Sequence, residues 1–186
     1  MICQAINIDM VYNSDDFWFN KLISKNFDII KKECINIVNM GLFVPHDQSE
    51  QSYNTRIAKL AKKWDAFNFK DCDTWFTEAK KQAPFTYDLL YSIDDIRLQS
   101  KGKVYFSMIP AKAEVWPHVS NYKVGDRIRH QLCIEAPQDI KGLYMMVNEN
   151  KHYWEERKVF TFDDAYKHSV KNLTDQRRIV LLYDSI

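Results

Sequence analysis

Glycine is scarce in this chain. Only four of its 186 residues are glycine, at positions 41, 102, 125 and 142, whereas soluble proteins average about 7%. No two of the four lie close enough to form the glycine-rich turn of a Rossmann dinucleotide site or of a P-loop. The G-x-S-x-G nucleophile elbow of the α/β-hydrolases is excluded in the same way. We therefore expect no phosphate site built on a glycine-lined backbone, such as those that bind NAD or ATP.

The chain also lacks paired cysteines, long apolar runs and an excess of charge of either sign. Its four cysteines are too far apart for a C-x-x-C redox or zinc motif, and we interpret them as reduced core residues: Cys3, Cys34, Cys72 and Cys133. No apolar run could span a bilayer, and the N-terminus lacks the basic-then-apolar order of a signal peptide. With 26 basic and 25 acidic residues the net charge is +1, which indicates neither a nucleic-acid nor a membrane partner. We expect a cytoplasmic protein, and composition leaves its oligomeric state open.

The first hundred residues have the patterns of helices. Apolar residues recur at helical spacing over 19–41, and Gly41 is a plausible C-terminal cap. A second helix is predicted over 54–67, where Ile57, Leu60, Ala61 and Trp64 form one stripe. The polar stretch 43–52 between them is predicted to be a loop. Shorter helices are predicted over 73–82, ending before Pro84, and over 86–92.

From residue 103 onwards the pattern changes to short β-like runs separated by turn residues. The predicted strands are KVYFSMI, AEVW, RIRHQLCIE, LYMMV, KVFTF and RRIVLLYD. Strands at this spacing, with no helices between them, favour an antiparallel sandwich or barrel. We therefore expect one α+β domain over residues 1–186, in which 1–100 provide mainly helical support and 101–186 form the β-barrel core.

The strand at 127–135 carries a candidate site on one of its faces. Arg127, Arg129, Gln131, Cys133 and Glu135 alternate with Ile128, His130, Leu132 and Ile134. Either the first set faces solvent and the second set the core, or the first set lines the mouth of the barrel with two arginines that bind carboxylates. On the apolar face, His130 is interpreted as a packed, hydrogen-bonded histidine.

Three further residues suggest chemistry only in combination. Arg178 precedes the apolar run of the last strand, and a buried guanidinium without a partner is costly. Its partner is either a carboxylate of Asp163, Asp164 or Asp184, or an anionic cosubstrate. His118 ends one strand and His168 precedes another, with no local metal-binding spacing. If both lie on the inner face of a small barrel, they become a credible two-imidazole site for Fe(II).

The C-terminal half resembles the aspartyl/asparaginyl β-hydroxylase family. The matching segments are KVYFSMIPAKAEVWPH, RIRHQLCIEAP, YWEERKVFTFDDAYKHSV and RRIVLLYD, and weaker similarity extends through GLFVP, WDAFNF and Pro84, so it covers about residues 25–184. The resemblance implies a double-stranded β-helix, a jelly-roll or cupin-like barrel, buttressed here by the N-terminal helices. It also implies an Fe(II)- and 2-oxoglutarate-dependent dioxygenase that uses O2.

The resemblance assigns roles to individual residues. His118 and His168 correspond to the iron ligands, and Arg178 with Ser107 to the residues that bind the distal carboxylate of 2-oxoglutarate. Arg127 and Arg129 match the family's R-x-R strand, which holds carboxylates of substrate or cosubstrate at the iron. Gln131 stands where the human-type enzymes carry a histidine and is assigned to the cosubstrate, Trp64 matches a pocket tryptophan on the substrate side, and Asp163 and Asp164 are candidates to orient His168.

Several positions depart from the family pattern. The loop between His118 and Arg127 is two residues longer than in the animal enzymes, and Arg157 replaces the usual glycine of a W-E-E-G turn. Ser120 stands where most oxygenases of the superfamily place a third, carboxylate ligand. The implied reaction is hydroxylation of a C–H bond in an Asp/Asn-like or other carboxylate-bearing residue of an amino acid, peptide or protein. A non-catalytic cupin-like module that binds an anion, and a 2-oxoglutarate-dependent halogenase, are the alternatives.

Overall fold

A computed structural model describes residues 10–46, 64–138 and 140–186, and it places five α-helices among them. They are α1 (Trp18–Lys25), α2 (Phe27–Asn39), α3 (Thr77–Gln82), α4 (Pro84–Tyr91) and α5 (Asp94–Arg97). The predicted cap at Gly41 is confirmed: its φ is +67°, and the N–H groups of Gly41 and Leu42 donate to the carbonyls of Val38 and Ile37. This is the Schellman arrangement that a glycine after a helix favours. In the described parts of the chain no helix is long and apolar enough to cross a membrane.

Three of the predicted helices differ from the structure. The helix predicted over 19–41 is divided at Asn26 into α1 and α2. Of the helix predicted over 54–67, residues 54–63 lie outside the described residues, and 65–67 belong to a strand of the large sheet. The stretch Asp65–Asp71 alternates its aromatic residues and pairs along its whole length with a central strand. The helix predicted over 73–82 begins only at Thr77, because Thr74 and Trp75 pair with the end of the stretch Asp65–Asp71. Strand pairing, long-range at β3 and within a hairpin at β4, therefore overrides the helical pattern in these two segments.

Antiparallel strands form two sheets. The strands are β1 (Val11–Tyr12), β2 (Val44–Pro45), β3 (Asp65–Asp71), β4 (Thr74–Trp75), β5 (Lys103–Ile109), β6 (Ala113–His118), β7 (Ile128–Glu135), β8 (Leu143–Val147), β9 (Asn150–His152), β10 (Val159–Phe162), β11 (His168–Asn172) and β12 (Arg178–Ser185). Within the described residues the large sheet runs β1-β10-β7-β12-β5-β3-β2, with β4 beside β3, and the small sheet runs β6-β11-β8-β9. All six predicted strands are present, with bounds that shift by up to two residues.

The central strands of the large sheet, β7 and β12, are buried on both faces. Ile179, Leu181 and Tyr183 of β12 pack with the helices in one apolar cluster, whereas Val180 and Leu182 pack toward the small sheet in a second cluster. A strand that is buried on both faces has a nearly continuous apolar sequence, which explains the composition of RRIVLLYD. Since side chains alternate, Arg178 and Asp184 share the inner face with Val180 and Leu182. The space between the sheets is where the candidate site lies.

Candidate active site between the two sheets

A cavity lies between the sheets and collects most of the predicted site residues. Its wall is largely apolar, with a few polar side chains on β5, β6, β7, β11 and β12. The lining residues are Trp64, Tyr105, Ser107, Ile109, Val115, His118, Arg129, Gln131, Met145, Phe162, His168, Val170, Arg178 and Leu182. An apolar pocket with a few convergent polar groups is typical of a small-molecule site. Of the predicted site residues, Arg127 is the one that does not line it.

The two histidines face each other across paired strands. β6 ends at His118 and β11 begins at His168, and the antiparallel register sets these two residues opposite each other, with ring centroids 4.2 Å apart. In each ring Nδ1 lies 2.8 Å from the carbonyl oxygen two residues earlier, that of Trp116 or Tyr166. A carbonyl can only accept, so Nδ1 carries the proton and Nε2 keeps its lone pair.

The environment keeps both imidazoles neutral. Burial lowers the pKa of His118. Burial, with the nearby His118 ring as a second cause, lowers the pKa of His168 to about 3. A neutral imidazole with a free Nε2 is the form that binds a metal ion. Among the described residues, no group of three His, Cys, Asp or Glu side chains could hold a metal, so the pair offers two nitrogen donors.

The expected role of Asp163 and Asp164 in orienting His168 is wrong. The carbonyl of Tyr166 orients that ring instead, as described above. The Asp163 carboxylate accepts hydrogen bonds from the backbone N–H groups of Gly125 and Ala165. The Asp164 carbonyl accepts from the N–H of Ser120 at 3.0 Å. The two aspartates therefore fasten the loop that follows His118 to the segment that precedes His168.

Arg178 is buried without a carboxylate partner. Arg178 is 2% exposed, and neither its Nε nor its Nη1 has a hydrogen-bond partner. The predicted alternative, an ion pair with Asp163, Asp164 or Asp184, is wrong for the described structure, because those carboxylates bind other groups. The guanidinium lies 4.6 Å from the centre of the Trp154 ring. Burial lowers the pKa of Arg178 to about 10, which leaves it protonated at neutral pH.

Ser107 and Trp64 form a second polar pair in the cavity. The indole Nε1 of Trp64 donates to Ser107 Oγ at 3.0 Å. Because the serine oxygen accepts this bond, its own O–H is free to donate to a ligand. Trp64 is stacked on His46, with ring centroids 3.8 Å apart, and the backbone N–H of His46 donates to the Trp64 carbonyl. These contacts fix the tryptophan at the wall where the resemblance places a pocket tryptophan.

The R-x-R pair belongs to a buried cluster of four charges. Arg129 binds Asp184 through Nε (2.8 Å) and Nη2 (3.0 Å), and its Nη1 lies 3.0 Å from Asp164. Arg127 binds Asp164 and the Lys101 carbonyl, so its guanidinium is occupied away from the cavity. Burial opposes ionisation of Asp164 and Asp184, but Arg129 and Arg127 outweigh it and hold both pKa values below the usual range.

Both predicted faces of β7 are buried, so the solvated alternative is wrong. His130 is fully buried and hydrogen-bonded to Asn20, Thr161 and Ser185, which confirms its interpretation as a packed histidine. Gln131 faces the cavity and accepts a hydrogen bond from Trp154 Nε1 at 2.9 Å. Trp154 lies in the segment YWEERKVFTFDDAYKHSV, and the resemblance assigns it no role. Only its contacts with Gln131 and Arg178 identify it as part of the site.

Comparisons with known proteins identify a family and a fold. The sequence profile of the aspartyl/asparaginyl beta-hydroxylase family matches residues 24–186. A crystal structure of a Pseudomonas putida prolyl-4-hydroxylase superposes with a TM-score of 0.51 and 14% identity, covering 86% of each chain. This likeness confirms the expected jelly-roll, cupin-like fold within an α+β chain.

Curated relatives are similar over most of this chain. Aspartyl/asparaginyl beta-hydroxylases of Mus musculus and Homo sapiens are each 25% identical over 166 residues, which is 88% of this chain. The chain spans about a fifth of their length, 21% and 20%. An ornithine lipid ester-linked acyl 2-hydroxylase of Rhizobium tropici is 24% identical over 176 residues, which covers 95% of this chain and 60% of that protein.

Proposed function

Because the chain belongs to the aspartyl/asparaginyl β-hydroxylase family, we propose that it is an Fe(II)- and 2-oxoglutarate-dependent dioxygenase that hydroxylates a C–H bond. The observation that carries this proposal is one cavity that holds two neutral imidazoles and an unpaired, buried guanidinium. The imidazoles suit a divalent iron ion, and the guanidinium suits a carboxylate. The residues present therefore fit both the metal and the cosubstrate.

In this proposal each polar residue of the cavity has a defined task. Nε2 of His118 and Nε2 of His168 would hold the metal, with the carbonyls behind them fixing the ring orientation. Arg178 and the free O–H of Ser107 would bind the distal carboxylate of 2-oxoglutarate. Since Arg178 (β12) and Ser107 (β5) lie on neighbouring strands, opposite Ile109 and Val180, both reach the same end of the cavity.

Fe(II) held by the two histidines would supply the redox chemistry, in which one atom of O2 goes to succinate as 2-oxoglutarate loses CO2 and the other is inserted into a C–H bond. The chain's own contribution is orientation and exclusion of water. The cavity that holds the two histidines and Arg178 is also lined by aliphatic and methionine side chains: Ile109, Val115, Met145, Val170 and Leu182. A low-polarity wall strengthens the attraction between the guanidinium and a carboxylate.

We propose an amino-acid residue, free or within a peptide or protein, as the substrate class, with a carboxylate held by Arg129. The Arg129 guanidinium has five N–H groups, and its three contacts with Asp184 and Asp164 leave two of them available to a substrate. Arg129 also lines the cavity. Arg127, in contrast, would act by fixing Asp164 rather than by touching substrate. Trp64 would form the substrate-side wall.

The experiment is an assay of succinate formation from 2-oxoglutarate with Fe(II) in air. We expect slow turnover by the wild-type chain without added substrate, and its loss in His118→Ala. Asp175→Asn, on the exposed surface, is the matched control and should behave as wild type. If the wild type forms no succinate above the background of His118→Ala, the proposal is refuted and the non-catalytic anion-binding module is favoured. With a substrate in hand, the product's mass in chloride buffer separates hydroxylation from chlorination.

A further inference from the structure

Trp154 is a buried tryptophan that contacts two polar groups of the cavity without lining it. It lies between β9 and β10, is 3% exposed and packs in the apolar cluster between the sheets. Its indole N–H is bonded to Gln131 of β7, and its ring face carries the guanidinium of Arg178 of β12. One side chain thus links polar residues on two neighbouring strands of the large sheet.

The bond to Trp154 determines which way the Gln131 amide points. An indole nitrogen can only donate, so the atom of Gln131 that it contacts must be the carbonyl oxygen Oε1. This assignment follows from the chemistry of the donor and so removes the usual ambiguity of amide orientation. The amide NH2 is then left to point away from Trp154. Because Gln131 lines the cavity, the NH2 group becomes a donor available to a ligand there.

Arg178 and Gln131 lie at different depths of the same inner face. In the ladder between β12 and β7, Leu182 pairs with Gln131, whereas Arg178 begins β12 four residues earlier. Trp154 spans the gap between the two. A cosubstrate with two carboxylates would thus meet a cation at one end and an uncharged N–H donor nearer the other.

We propose that Trp154 is a positioning residue for 2-oxoglutarate: its N–H fixes Gln131 as a donor to the metal-side carboxylate, and its ring face holds Arg178 for the distal one. The inference rests on the proposed function and adds to it a residue that touches neither metal nor cosubstrate. A glutamine in this place is uncharged, so a donor is kept there without adding a third cation to the inner face of β7 and β12, which already carries Arg129 and Arg178.

The test measures binding of 2-oxoglutarate by titration calorimetry in the presence of Mn(II), which replaces Fe(II) and avoids turnover. Trp154→Phe keeps an aromatic face under Arg178 but removes the N–H. We expect a five- to tenfold weaker Kd for 2-oxoglutarate, since a hydrogen bond contributes about 1 kcal/mol and about 1.4 kcal/mol corresponds to tenfold. Mn(II) binding alone should be unchanged. Trp18→Phe, at an exposed tryptophan, is the matched control and should leave both affinities unaltered.

A double-mutant cycle separates positioning from packing. In a Gln131→Leu background, Trp154→Phe should change the Kd for 2-oxoglutarate less than twofold, because the group it positions is absent. Gln131→Glu can still accept from the indole but offers no N–H, so it should bind 2-oxoglutarate more weakly than Trp154→Phe does.

Each outcome has a distinct meaning. If Trp154→Phe weakens binding by the same factor in both backgrounds, or leaves the wild-type affinity unchanged, the positioning role is overturned while the proposed function stands. If the wild-type chain fails to bind 2-oxoglutarate with Mn(II), the proposed function itself fails. Thermal unfolding of each variant shows whether it is folded, and a Trp154→Phe chain that keeps its Mn(II) affinity is a valid test of positioning.

Discussion

The buried cluster of Arg127, Arg129, Asp164 and Asp184 leads to a prediction about stability. We choose Asp184→Asn, because the substitution keeps the shape of the side chain and removes only its charge. Asp184 is fully buried, and it receives Arg129 through two hydrogen bonds and the backbone N–H of Lys103 through a third. The asparagine amide keeps one acceptor oxygen, but Arg129 loses its bidentate contact with a carboxylate.

The expected cost is large relative to the stability of a domain. Removing one partner of a buried ion pair costs about 3–5 kcal/mol, out of a total of about 5–15 kcal/mol. Asp164 still faces both arginines, so we expect the lower end, about 3 kcal/mol. An amide also cannot compensate two guanidinium groups that the fold keeps out of water.

The assay is urea unfolding of wild type and variant at pH 7. We expect the midpoint to fall while the slope m stays unchanged, since the surface exposed on unfolding is the same. Asp175→Asn, whose side chain is 88% exposed beside Lys112, should change the free energy of unfolding by less than about 0.5 kcal/mol. A loss below about 1 kcal/mol in Asp184→Asn would refute the description of the cluster as tightly paired.

The same cluster predicts a dependence on pH with a defined sign. Burial opposes the charge of Asp184, but Arg129 and Arg127 outweigh it and depress its pKa in the folded state. Its contribution is therefore complete above the unfolded pKa of about 3.9 and is lost as pH falls through the folded value. The difference between wild type and Asp184→Asn should shrink below about pH 4.

Three further predictions concern single residues of the inner face and core. Arg178→Met should raise the free energy of unfolding by about 1 kcal/mol or more, because it removes an unpaired buried charge. Urea unfolding measures this change, and a loss of stability would indicate that the guanidinium has a partner. His130→Leu should lose about 2 kcal/mol by the same assay, since it leaves Asn20, Thr161 and Ser185 without their partner, and a cost under about 0.5 kcal/mol would contradict the network. Burial lowers the pKa of His130 to about 3, so the stability that the neutral ring contributes is complete above the unfolded pKa of about 6.5 and is lost as the pH falls toward 3. In His130→Leu the free energy of unfolding should therefore fall less steeply with decreasing pH, and an unchanged slope would contradict this prediction.

The strands that the sequence predicted have apolar runs or clear alternation of apolar and polar residues, bounded by turn residues. β8 and β12 carry unbroken apolar runs, and the run of β5 is interrupted only by Ser107. β3 was missed because its residues DAFNFKD follow a lysine- and alanine-rich stretch, and its place beside β5 is decided by pairing with residues about forty positions later. β1 and β9 have two and three residues, which is too short for any periodicity.

The candidate site could be predicted in its residue types but not in its pairings. Alternation along β7 placed Arg129 and Gln131 on one face, and the structure brings both to the cavity. No local pattern could show that Arg129 and Arg127 select Asp184 and Asp164 as partners and leave Arg178 alone. Partner choice depends on which strands become neighbours, and that is a property of the whole sheet. Trp154 was missed for the same reason.

The departure at Arg157 has a structural counterpart. Its φ is +72°, the left-handed region that glycine adopts easily and other residues seldom do. The guanidinium binds Asp28 and lies 4.4 Å from the centre of the Phe27 ring, so the side chain joins the turn to the start of α2. The chain therefore keeps the backbone conformation of a glycine turn while adding contacts that a glycine could not make.

The proposed function requires one cavity that binds a metal and 2-oxoglutarate together, through the histidine pair and Arg178. Its most direct test is the affinity for 2-oxoglutarate, measured by calorimetry with and without Mn(II), for wild type, His168→Ala and Arg178→Met. We predict binding that requires Mn(II) and that each substitution abolishes or weakens at least tenfold. Binding of equal strength without metal, and unchanged in His168→Ala, would contradict the account.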